Sequence, residues 1–147
     1  MNRLLPTSYF FGALVLTGLL HFALPLRRLL AFPWRLAGLL PLGAGIALNL
    51  LADRAFKNHH TTVKPFEASR SLVTRGVFRI SRNPMYLGMT LAVFGIALLL
   101  GTATPLLVTV VLAVILDRVF IAPEERMLQS TFGEEFRQYR RQVRRWF

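Results

Sequence analysis

Two short polar clusters flank the longest apolar stretch of this chain, and their residue types suit the recognition of charged groups. The first is Gly76-Val77-Phe78-Arg79-Ile80-Ser81-Arg82-Asn83-Pro84-Met85-Tyr86-Leu87-Gly88. Arg79 and Arg82 can pair with a carboxylate or phosphate, Asn83 can donate and accept, and Tyr86 adds an aromatic face with a hydroxyl. The second is Glu124-Glu125, where a carboxylate can hold a ligand ammonium. Adjacent helical residues point about 100° apart, so one glutamate, Glu125 by its spacing from Leu128 and Gln129, is expected to face inward and the other outward. Both clusters also admit a plainer reading. Arginines snorkel, tyrosines form interfacial belts, prolines start helices, and acids at a helix N-terminus compensate its dipole.

Other candidates carry less. Asp117 and Arg118 fall near the end of an apolar segment, where ionisable groups are costly, and read as a helix cap or a local ion pair. His59-His60 lacks a third ligand or a spaced acid, so no metal site is expected. The chain has no cysteine, which excludes disulfides and thiolate chemistry. It also lacks the glycine-rich dinucleotide and P-loop patterns and the serine-hydrolase elbow.

The elements that must position these residues are membrane helices. The 84–116 run is 33 residues without a formal charge. As one helix it would reach about 50 Å, well beyond a hydrocarbon core of roughly 30 Å. It must fold back, and Gly101-Thr102-Ala103-Thr104-Pro105 is the expected turn of a helical hairpin. With apolar segments at 9–26 and 36–52 and 54% hydrophobic residues, the chain reads as all-α. The expectation is one polytopic membrane bundle of about four transmembrane helices. Its expected divisions are two N-terminal spans (1–52), a basic cytoplasmic loop (53–83), the hairpin (84–121) and an amphipathic tail (122–147). In that tail Leu128, Phe132, Phe136, Tyr139 and Val143 recur on one helical face, and Gly133 is a point of interruption.

Charge fixes an expected topology. Of 18 basic residues 16 are arginine, against seven acids, for a net charge of +11. Because this charge borders apolar spans, it points to anionic lipid headgroups and not to nucleic acid. Seven basic residues between Arg54 and Arg82, and five between Arg137 and Arg145, place the loop and the C-terminus in the cytoplasm and the uncharged hairpin turn opposite. That parity puts the 27–35 connection outside, although Arg27, Arg28 and Arg35 run against the rule. Arginine bias and small size suggest a bacterial inner membrane.

Taken together, Arg82-Asn83-Pro84-Met85-Tyr86, the hairpin, Glu124-Glu125-Arg126-Met127-Leu128, Phe132-Gly133 and Val143-Arg144-Arg145-Trp146 resemble the isoprenylcysteine carboxyl methyltransferase and phospholipid methyltransferase superfamily. The resemblance covers roughly residues 61–147, in order and spacing. It implies an integral-membrane methyltransferase that uses S-adenosylmethionine, with the cofactor entering from the cytoplasm and a lipophilic acceptor from the bilayer. It further implies that Arg82, Asn83, Pro84, Tyr86 and Gly88 belong to a first cofactor motif and Glu124 and Glu125 to a second. Tyr139, Arg145 and Trp146 then belong to a tail that closes the pocket, with Glu124, Glu125 and Arg145 as the catalytic candidates. The departures are Asn83 where histidine is frequent, Val77 for a proline, Phe78 for a tyrosine, and Phe136 for the first tail tyrosine. They exclude an imidazole base at position 83. The competing class is a non-catalytic membrane scaffold whose basic tail binds anionic lipid or a partner protein, which gives no reason for Asn83, Tyr86 and Glu125 to occur in this order.

Overall fold

The structure is a computed structural model that describes residues 5–58 and 72–147. The His59-His60 pair and much of the basic 53–83 segment lie outside the described residues. Among the described residues the regular elements are helices: α1 (Pro6–Ala23), α2 (Leu39–Asn58), α3 (Pro84–Leu100), α4 (Ala103–Ile115) and α5 (Ala122–Gln142). Short 3-10 turns at Trp34–Gly38 and Gly76–Arg79 lead into α2 and towards α3. Three helical stretches among the described residues are long and apolar enough to cross a membrane, namely Pro6–Ala23, Trp34–Lys57 and Ala103–Gln142, and α3 is a shorter apolar helix. Its 17 residues rise about 25 Å.

The hairpin turns where glycine and proline predict. Gly101 caps α3 in the left-handed region at φ 74°, its N–H donating to Ala97 O. A side chain there would also meet the carbonyl oxygen of Leu30 at 2.6 Å. The turn is stitched to the 24–33 connection. Leu29 and Leu30 N–H donate to Gly101 O, Ala103 N–H donates to Arg27 O, and Thr104 Oγ1 donates to Leu24 O. His21 Nδ1 lies 2.9 Å from Thr102 Oγ1. These bonds put the hairpin turn and the arginine-bearing connection at the same end of the bundle, as helix parity requires. Alpha-1 packs beside α4 and α3.

Alpha-2 lies along α3 through a seam of small residues. A Cβ added to Gly45 would stand 2.5 Å from Gly88 O and 2.7 Å from Ala92 N, and one added to Gly95 would stand 2.5 Å from Leu42 N. Backbone-to-backbone approach of this kind is how helices associate where lipid offers no hydrophobic driving force. The outward faces of α1, α2 and α4, with Phe11, Leu19, Phe22, Leu40, Leu50 and Val110, are exposed and apolar, as lipid contact demands.

The core divides in two. Tyr86, Met89, Val93, Val108, Leu112, Leu116, Phe120 and Ile121 fill the bundle with Ala13. Beyond its end, the tail stripe of Phe136, Tyr139 and Val143 packs on Ala52, Val73, Val77 and Phe78. The amphipathic face therefore closes against the bundle end, with Leu128 and Phe132 at its margin.

One element differs from expectation. Pro123 does not begin a separate helix, because α4 runs into α5 through a π turn at Leu116–Ile121, whose closing N–H, from Ala122, donates to Asp117 O. Proline in a helix lacks its own donor and crowds the carbonyl four residues back, and a widened turn just upstream accommodates both. Gly133, at φ 51° and ψ −116°, kinks α5 as expected. The seam gives a direct test. Gly95→Ala should destabilise the protein by about 1–3 kcal/mol, read as a lower melting temperature in detergent, whereas Gly43→Ala, where an added Cβ meets nothing within 4 Å, should leave it unchanged.

Candidate functional site

The two cores meet at the end of α4, and the polar clusters converge there. Alpha-4 and the π turn together rise about 28 Å, close to the roughly 30 Å of hydrocarbon, so α5 and the 143–147 segment lie past the apolar stretch. That final segment returns to the loop before α3. Arg82 N–H donates to Arg144 O at 3.0 Å, and Ser81 Oγ and Asn83 Nδ2 donate to Arg145 O at 3.0 and 3.1 Å. Asn83 N–H in turn donates to Ser81 Oγ at 3.1 Å. Asn83 thus spends its amide on the tail and does not cap α3, while Pro84 opens that helix, buried, in its first turn.

Pinned in this way, Arg145 links two acids. Its Nη1 lies 3.1 and 3.3 Å from the Asp117 oxygens, its Nε lies 3.3 Å from Glu125 Oε1, and its Nη2 donates to Glu125 Oε2. The hydrogen bond with Glu125 raises the pKa of the Arg145 guanidinium, with burial opposing. Arg82 Nη2 holds the same Glu125 Oε1 at 3.1 Å, and the Arg82 and Glu125 side chains are only 9% and 8% exposed. Burial lowers the Arg82 guanidinium from its ordinary pKa and Glu125 opposes this; a guanidinium remains protonated throughout. Trp146 Nε1 donates to Asp117 Oδ1 at 3.3 Å. Arg82 Nε and Nη1 are buried and have no hydrogen-bond partner among the described residues. Donors left in that state are costly unless a ligand meets them.

Beside this cluster is a second acid with a different environment. Tyr86 Oη donates to Glu124 Oε1 at 2.6 Å, and the Tyr86 ring stacks on Phe120 at 6.1 Å between centroids, with Tyr9 edge-on to Phe120 at 5.4 Å. Both glutamates therefore face inward, correcting the expectation that only one does. Partners flank the start of α5 on two sides, with α3 offering Tyr86 and the loop and tail offering Arg82 and Arg145. Burial pushes the Glu124 carboxyl up to about 7, while the hydrogen bond from Tyr86 pulls it down.

Of the residues singled out from sequence, the structure gathers Arg82, Asn83, Glu125, Arg145 and Trp146 into one network and sets Tyr86 and Glu124 against it. Two lie elsewhere. Gly88 faces α2, where an added Cβ would collide with the Asn49 amide and with Gly45 O. Tyr139 is buried in the tail core and donates to Phe78 O at 2.7 Å. Sequence reasoning undervalued Asp117. Its local pairing with Arg118 is long, at 3.7 Å with the arginine side chain 81% exposed, and its close partners come from the tail. The signal was an acid at the end of an apolar span.

Fold and site define an integral membrane protein with an acid and arginine network at one end of an all-α bundle. Residues 34–135 match the phospholipid methyltransferase family, and the chain belongs to that family, one of S-adenosylmethionine-dependent membrane methyltransferases. An uncharacterized protein of Haemophilus influenzae is 37% identical over 62 residues, 42% of this chain and 98% of that protein. The protein-S-isoprenylcysteine O-methyltransferase of Schizosaccharomyces pombe is 28% identical over 109 residues, 72% of this chain and 45% of that enzyme. The structure of a eukaryotic intramembrane Ras methyltransferase, isoprenylcysteine carboxyl methyltransferase, matches with a TM-score of 0.65 at 23% identity. That match covers 96% of this chain and 51% of the other, a likeness of fold. The chain thus spans about half the length of these two named methyltransferases.

The raised Glu124 carboxyl has a consequence for stability. A carboxyl whose folded pKa is raised contributes stability at low pH that is lost as pH rises from the unfolded value towards the folded one, here from 4.5 to about 7. Glu124→Gln removes that titration and keeps an acceptor for Tyr86. The melting temperature of wild type relative to Glu124→Gln should therefore fall by a few °C or more between pH 5 and pH 7.5 and stay level above, as read by thermal melts in detergent.

Proposed function

We infer that the protein transfers a methyl group from S-adenosylmethionine to a lipophilic acceptor at the cytoplasmic face of the membrane. The observation that carries this reading is the buried Arg82, with Nε and Nη1 unpartnered beside an acid held by two arginines. The residues present fit the cofactor's charged end. The two free Arg82 donors suit a carboxylate, Glu125 suits an ammonium, and Trp146 together with Tyr86, backed by the buried Phe120, suits an aromatic and apolar wall. When bound, S-adenosylmethionine supplies an electrophilic methyl on a sulfonium.

The chain's own residues then act by holding and drying the site. Arg82, Glu125 and Arg145 orient charged groups, and the tail is bonded at Ser81, Arg82 and Asn83 where Arg82 and Glu125 are withdrawn from water. Alignment and exclusion of water can supply much of the rate enhancement of such a transfer without a metal. A carboxylate or thiolate acceptor needs no base. For an amine acceptor, Glu124 is better placed than Glu125 to take the proton, since its partner is a neutral hydroxyl and Glu125 is committed to two guanidinium groups. The acceptor classes that fit are an isoprenylcysteine-like carboxylate, a phospholipid amine, or a small hydrophobic thiol or amine.

In this reading the chain crosses the membrane four times, with α3 the shortest crossing, and the basic loop and C-terminus lie in the cytoplasm of a bacterial inner membrane beside anionic headgroups. Calorimetry with detergent-purified protein tests it. Wild type should bind S-adenosylmethionine saturably, and Arg82→Ala and Glu125→Ala should each weaken binding by about tenfold or more. Absence of binding by folded wild type, in detergent and in nanodiscs, would overturn the reading.

A further inference from the structure

Asp117 is the one acid of the network whose role the proposed methyl transfer leaves open. It occupies the second position of the π turn and is 18% exposed at its side chain. Glu125 lies eight positions further along the chain. In an uninterrupted α-helix that spacing would set the two about 80° apart around the axis. The π turn takes up one extra residue, so the pair behaves as if seven apart and falls within about 20° of one line. The widened turn thus puts two carboxylates on the same face, two turns apart, where one guanidinium reaches both.

The hydrogen bonds from 81–83 fix the main chain of Arg144 and Arg145. They leave the side-chain directions of Arg145 and Trp146 undetermined. Those directions are set by Asp117, which accepts from Arg145 Nη1 and from Trp146 Nε1, and by Glu125. Resting on the methyl-transfer reading, Glu125 can turn to a ligand ammonium only as Arg145 loosens from it, and Asp117 is the acid still holding Arg145 when it does. We propose that Asp117 is a positioning residue, aimed by the π turn, that holds Arg145 and Trp146 of the tail over the cofactor site and retains Arg145 there when Glu125 engages a ligand cation.

The test uses the 147-residue chain in nanodiscs with Trp34→Phe, which leaves Trp146 as its sole tryptophan. Asp117→Ala should shift Trp146 emission to the red without added cofactor and weaken S-adenosylmethionine binding by about tenfold or more. In an Arg145→Ala background it should weaken binding by clearly less than in wild type, since only the hold on Trp146 is left to lose. Unchanged emission together with unchanged affinity, or additive losses in the double variant, would overturn the proposal. Where Asp117→Ala does not fold, Asp117→Asn carries the same comparison. It keeps an acceptor for Trp146 and loses the charge that holds Arg145, so affinity should fall with emission unshifted, and retained affinity would overturn the proposal. Should wild type fail to bind S-adenosylmethionine, the methyl-transfer reading fails, while the emission of the Asp117 variants still decides whether Asp117 holds the tail.

Discussion

Charges at the edge of a hydrocarbon layer persist only where each finds a partner, and this constraint organises the end of the bundle where α4 runs into α5. Arg82 and Glu125 are almost wholly withdrawn from water, a placement whose desolvation penalty is offset only by good geometry and additional hydrogen bonds. Glu125 meets it with two guanidinium groups, Arg145 with two carboxylates, and Asp117 with Arg145 and the Trp146 indole. The partners come from the loop before α3, the junction of α4 and α5, and the final residues. The network can therefore close only when the hairpin is formed and the tail has returned. The two free nitrogens of Arg82 are the place where this mutual satisfaction stops, and the proposed cofactor's carboxylate would find its donors there.

Everything else in the fold holds these three segments in register. The glycine seam brings α2 and α3 into backbone contact and fixes α3 relative to Ala52 and Phe56, against which the loop and tail pack. At the opposite end, hydrogen bonds between the hairpin turn and the 24–33 connection secure α1 to α4. The tail stripe of Phe136, Tyr139 and Val143 presses the 72–79 segment against α2, and the Tyr139 hydroxyl on Phe78 O ties that segment to α5. The site lies between an apolar bundle and a small tail core, and moving either one changes the distance between Arg82 and Arg145.

Much of this was legible in the sequence because apolar length, glycine, proline and helical periodicity report local structure directly. The turn at Gly101, the stripe from Leu128 to Val143 and the kink at Gly133 follow from those signals. The convergence of Arg82, Glu125 and Arg145 was legible through resemblance, since residues 20 to 63 positions apart carry no local sign of contact. What was not legible depends on the π turn and on tertiary partners. Periodicity assumes 100° per residue, so one accommodated extra residue hides the alignment of Asp117 with Glu125, and Pro123 reads as a helix start when the helix in fact continues. The inward turn of Glu124 is invisible for a similar reason, as it depends on Tyr86 approaching from α3. Gly88, read as part of a cofactor motif, is explained by α2 packing against it.

The central claim is that the network at the end of α4 serves methyl transfer to an acceptor drawn from the bilayer. It is tested most directly by incubating the protein in nanodiscs of bacterial lipid with S-adenosylmethionine labelled in its methyl group, adding in turn a prenylated cysteine carboxylate, an ethanolamine phospholipid and a small hydrophobic amine or thiol. The account predicts label in the organic extract with at least one acceptor, lost when Glu125 is replaced by alanine. Label confined to the aqueous phase with every acceptor class, from protein that binds the cofactor, would contradict it.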